Sequence, residues 1–181
     1  MKMVGHIKVD VHRSNIIGIM IFFVCYFIAF QGFGPFTDQS NNPLLRFFYR
    51  IIILFYLIVL LCVHEAIHKI VASFFVSSKN VTLHCKLKSL VWECHVSVPL
   101  KRNQYLLVLL APGIILFLTG ALLSFALEPT NLKYFAMLLF LYGFASAVGD
   151  ILLASKSIKF PKNCYILAKG AEADILINDL F

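Results

Sequence analysis

Four apolar runs decide what this chain can become. They cover residues 16–33, 44–76, 105–127 and 132–154, and a helix needs about 20 mainly apolar residues to cross a bilayer. A backbone in hydrocarbon must satisfy its polar groups internally, so such runs become helices. The fold expected is mainly α: a polytopic membrane protein with four transmembrane helices, in one membrane-embedded domain over residues 1–181. Composition agrees, at 60% hydrophobic and 14% charged residues, against roughly 45–50% and about 25% in soluble domains. The first run closes at Gly34-Pro35 with no small-x-small cleavage site after it, which argues against a removed signal peptide. The second carries Arg46 and Arg50 near its start, which suits a tilted entry from the interface.

The net charge is +7. The basic residues stand beside the apolar runs rather than interleaving with aromatics, which points to a lipid bilayer as partner and to no nucleic acid. Lys2, Lys8 and Arg13 precede the first run. Lys79, Lys86, Lys88, Lys101 and Arg102 lie between the second and third, and Lys156, Lys159, Lys162 and Lys169 follow the fourth. The positive-inside rule places both termini in the cytosol of a multi-pass cell-membrane protein. The five cysteines are odd in number and scattered, unlike a disulfide framework.

The loop between the second and third runs is strand-rich over about 81–98, VTLHCKLKSLVWECHVSV. It reads as a small cytosolic β-hairpin. Pairing centred on Ser89-Leu90 sets Lys86 opposite Glu93 and Cys85 opposite Cys94. The short C-terminal tail, 155–181, offers one strand near Tyr165–Ala168.

Within the second run, LIVLLCVHEAIHKIVASFF (57–75) places His64, Glu65, His68 and Lys69 amid apolar residues. Ionisable groups there need a partner, a cavity or an ion. On a helix, His64 and His68 lie one above the other on one face and can share a metal ion. Glu65 can then reach a water at that ion. This is the H-E-x-x-H pattern of zinc peptidases, with zinc as the cofactor and Glu65 as the catalytic base. A divalent cation also offsets a buried carboxylate and holds both imidazoles neutral. A catalytic zinc takes three protein ligands. Asp150, in FASAVGDILLASK, is the only carboxylate well inside the other three runs. His68 lies about 13 Å and Asp150 about 9 Å from the cytosolic ends of their runs, at 1.5 Å per residue. The metal ligands expected are therefore His64, His68 and Asp150. The alternatives are a hydrogen-bonded polar cluster for the histidines and a helix-end role for Asp150.

Together, His64-Glu65-Ala66-Ile67-His68, the strand-rich loop ending in Pro99, LLVLLAPG (106–113) and Gly149-Asp150 resemble the bacterial zincin peptidases. That family was long known only as a domain of unknown function, and it resembles the site-2 protease class of intramembrane metalloproteases. The resemblance covers roughly residues 44–180. It implies a zinc metalloendopeptidase with His64, His68 and Asp150 as ligands and Glu65 as general base. Site-2 proteases have Gly after the ligand Asp, whereas Ile151 follows here. The function expected is hydrolysis of peptide bonds near the cytosolic face, in a peptide or membrane-protein substrate. A non-catalytic zinc-binding membrane sensor or interaction protein is the alternative, and it would tolerate loss of Glu65.

Overall fold

The computed structural model describes residues 1–32, 43–86, 91–128, 131–169 and 172–177. Five α-helices form the body: α1 (Val11–Gly32), α2 (Pro43–Ser73), α3 (Arg102–Ala126), α4 (Asn131–Ser146) and α5 (Val148–Ser157). Three helical stretches, Pro43–Ser73, Arg102–Ala126 and Leu132–Ser157, are long and apolar enough to cross a membrane. Large apolar side chains cover their outer faces, with Phe55 66% and Phe125 90% exposed. Contiguous apolar surface of this kind suits lipid rather than water.

Small residues set the helix spacing. Gly120 of α3 lies against the backbone of Phe140, and Gly143 of α4 against that of Leu116 and Phe117. A methyl at either place would strike backbone, so the two helices meet main chain to main chain. The Tyr56 hydroxyl on α2 donates to Phe135 O on α4 at 3.1 Å.

The span expected over 132–154 is present as Leu132–Ser157, interrupted at Ala147, where α4 gives way to α5. Ala147 stays in the right-handed helical region but with ψ at −8°, and the Ser146 hydroxyl turns back onto Gly143 O at 3.4 Å. Such a side-chain bond competes with the helix ladder. The break creates a new helix start, and Asp150 falls in the first turn of α5. There the helix dipole favours a carboxylate.

Six strands collect at one end of the helices. They are β1 (Lys2–Lys8), β2 (Val81–Lys86), β3 (Val91–Val96), β4 (Leu100–Lys101), β5 (Tyr165–Lys169) and β6 (Glu172–Ile177). A four-stranded antiparallel sheet runs in the order β1-β6-β5-β4. The strand expected near Tyr165–Ala168 is β5, but the tail is not a simple tail: β6 follows and pairs on its far side with β1. The sequence reading missed β1 because KMVGHIK buries only Ile7 fully and so shows no clear alternation.

The β-hairpin over 81–98 is present as β2 and β3, in a different register. Cys85 faces Trp92, Lys86 faces Val91, His84 faces Glu93 and Leu83 faces Cys94. The expected opposition of Lys86 with Glu93 and of Cys85 with Cys94 is thereby corrected. The pairing is centred between residues 88 and 89 rather than between Ser89 and Leu90, which shifts every partner by two. Ser-Leu is a poor two-residue turn, so little in the sequence held the expected register in place. Residues 87–90 themselves lie outside the described residues.

The core sits between these strands and the helix ends. Ala72, Cys164, Ile166, Ala173 and Ile175 are fully buried there with Val81, Val96, Leu100 and Leu153. Full burial of each Ile, Leu or Val contributes about 1.5–3 kcal/mol. Arg102, at the start of α3, is buried and donates to Phe160 O at 2.6 Å and Ile158 O at 3.3 Å. It thereby satisfies carbonyls that the end of α5 leaves open.

Candidate metal centre

One turn of α2 brings His64 above His68, and their rings meet edge to face with centroids 4.8 Å apart. Both are 6% exposed. The Nε2 atoms of the two rings lie 3.2 Å apart. Asp150, reaching across from the first turn of α5, sets Oδ2 3.1 Å from His64 Nε2 and 3.5 Å from His68 Nε2. These three atoms form a nearly equilateral triangle. Ligands held tetrahedrally at about 2.0–2.2 Å from zinc stand about 3.3–3.6 Å from one another. The donor set of two imidazoles and one carboxylate, with these separations, fits zinc.

The tautomer fits as well. His68 Nδ1–H donates to Val108 O of α3 at 2.7 Å. That bond leaves the lone pair of a neutral His68 on Nε2, facing the triangle. His64 Nδ1 is buried with no hydrogen-bond partner among the described residues.

Glu65 is one residue on from His64, and a carboxylate oxygen of it lies within 4.8 Å of ligand atoms of both histidines. The trio His64, Glu65 and His68 could therefore hold a metal ion. That looser spacing is wide for adjacent ligands of one ion, and Asp150 closes a tighter set. Glu65 Oε2 is also held from outside the helix, by the Cys94 backbone N–H at 2.9 Å. β3 thus aims a backbone donor at this carboxylate. A sequence reading had no means of finding that contact, because any residue type supplies the same N–H.

A cavity of about 570 Å³ adjoins these groups. Its walls include Gly18 and Phe22 of α1, Leu57 and Leu61 of α2, and Tyr105 and Tyr142 of α3 and α4. The Tyr105 hydroxyl is buried there with no hydrogen-bond partner among the described residues. In the cavity wall beside Glu65, burial and then the nearby Glu65 charge push the Cys94 thiol up to about 12. The Cys85 and Glu93 side chains lie outside the described residues.

A family model described as "Putative zincin peptidase" matches residues 57–165. That stretch takes in His64, Glu65, His68, Val108 and Asp150. No curated protein and no solved structure matches the chain.

Proposed function

Because this chain belongs to the Putative zincin peptidase family, whose cofactor is zinc, we propose that it is a membrane-embedded zinc metalloendopeptidase of site-2-protease type. The observation that carries this reading is the triangle of His64 Nε2, His68 Nε2 and Asp150 Oδ2 with Glu65 beside it. In this reading α1 is a fourth span, since its 22 residues reach about 33 Å at 1.5 Å per residue. The strands and both termini lie in the cytosol, where the lysines are concentrated. The reaction then takes place just inside the membrane, near its cytosolic face.

His64, His68 and Asp150 would hold the zinc, which when bound lowers the pKa of a water to about 7 and polarises a carbonyl. Glu65 takes the proton from the attacking water and gives it to the leaving amine. The Cys94 N–H fixes one Glu65 oxygen and leaves the other free to exchange the proton. His68 is held in place by Val108 O. The largely apolar cavity beside Glu65 accepts an apolar stretch of the substrate and keeps bulk water away. A substrate must be extended to be cut, and the outer edge of β3 offers backbone groups for strand addition.

The test is a proteome comparison of cells carrying the wild type and Glu65→Gln, searching for membrane-protein fragments that depend on Glu65. Purified wild type should hold about one zinc per chain, because a single site is proposed. His64→Ala and His68→Ala should each lose most of it. Fragments that persist unchanged in Glu65→Gln, with zinc still bound, would favour a non-catalytic zinc protein instead.

A further inference from the structure

We propose that Pro112 is a positioning residue for the metal centre: it frees the Val108 carbonyl, which then fixes the tautomer and orientation of His68. The inference rests on the reading of His68 as a metal ligand. In an α-helix the N–H of each residue bonds the carbonyl four residues earlier, and for position 112 that carbonyl is Val108 O. Proline has no N–H, and its ring pushes the same carbonyl aside. α3 nevertheless continues from Arg102 to Ala126 through Pro112. Val108 and Pro112 are both buried, so water cannot easily supply the missing donor. His68 Nδ1–H supplies it, at 2.7 Å.

Each group meets the other's need. The carbonyl that the ladder abandons gains a donor. The imidazole gains an acceptor that holds its second nitrogen toward His64 and Asp150. Metal-bound histidines commonly donate their other N–H to a carbonyl or carboxylate, and losing that partner weakens metal binding about 10- to 100-fold. His64 has no such anchor among the described residues, which leaves the α3 carbonyl as the fixed point of the pair. Any residue other than proline at 112 brings back an N–H that competes with His68 for Val108 O.

The experiment separates the missing N–H from the shape of the ring. Zinc affinity is measured by chelator competition in detergent for the wild type, for Pro112→Ala, and for a chain with the α-hydroxy analogue of alanine at position 112. That ester lacks both the ring and the N–H. Pro112→Ala should bind zinc about 10- to 100-fold more weakly, and the ester should bind within a few-fold of wild type. In the zinc-free proteins, ¹⁵N shifts should show His68 as the Nδ1–H tautomer in wild type and ester, and as a mixture in Pro112→Ala. Wild-type affinity in Pro112→Ala would overturn the proposal, as would an ester as weak as Pro112→Ala. If the wild type binds no zinc, the reading of the centre falls instead. The zinc-free tautomers then decide the proposal, and an identical His68 state in all three proteins would overturn it.

Discussion

Glu65 and Asp150 are both carboxylates beside the same two imidazoles, and their surroundings differ. Asp150 Oδ2 sits at near-ligand distance from both Nε2 atoms, while Glu65 is drawn toward β3 by the Cys94 N–H. Glu65→Gln should therefore keep its zinc by elemental analysis while turnover falls by about 10²-fold or more, the usual size of general-base help. Asp150→Ala should lose zinc and also melt at lower temperature, because in the proposed centre the metal would join α2 to α5. The reverse pattern, zinc lost in Glu65→Gln and kept in Asp150→Ala, would assign the ligand role to Glu65. Cys94 gives a further check. With its thiol pushed up to about 12 by burial, roughly one in 10⁴ molecules is a thiolate at pH 8. Folded protein should alkylate at Cys94 far more slowly than denatured protein, as read by mass spectrometry. Fast labelling of the folded state would mean that the packing of β3 on α2 does not shield this thiol.

At the level of the elements, the α3–α4 contact depends on Gly120 and Gly143, each facing backbone across the interface. Gly120→Ala has no flexible side chain to push aside, so the helices must separate. We expect a loss of about 1–3 kcal/mol, the usual cost of overpacking, seen as a lower melting temperature in detergent. An unchanged melting temperature would show that the helices are not in backbone contact there. The elements differ in how plainly the sequence announced them. Helices α2 and α3 were legible because lipid demands long apolar runs, and His64, Glu65 and His68 because one helical turn brings them together without help from the rest of the chain. Asp150 was found by elimination, since few carboxylates lie in apolar runs. The break at Ala147 was not legible, because no glycine or proline stands at that point and its visible companion is a serine bond to Gly143 O. Nor were β1, β6 and the hairpin register, which depend on pairing between distant residues. Pro112 was visible as a helix irregularity, but the use of its freed carbonyl by His68 required both helices in place.

For the whole molecule, the pairing of β1 with β6, Lys2 opposite Ile177, puts both ends of the described chain on one side of any membrane it spans. Reporter fusions after Phe181 and within residues 84–95 should both read cytosolic, given where the lysines fall. A reading from the opposite compartment at both sites would invert the orientation. Opposite readings at the two sites would contradict the arrangement of the strands at one end of the helices. The same pairing also fixes an order of events during synthesis. β1 is made before the helices and its partner β6 after them. The sheet that packs against α5 and β3 therefore cannot close until the helices between them have been made. In the proposed reading, His64, Glu65 and His68 are made long before Asp150, so a half-made chain would carry the base without its full set of metal donors. A protease of this kind would stay unarmed until α5 is finished.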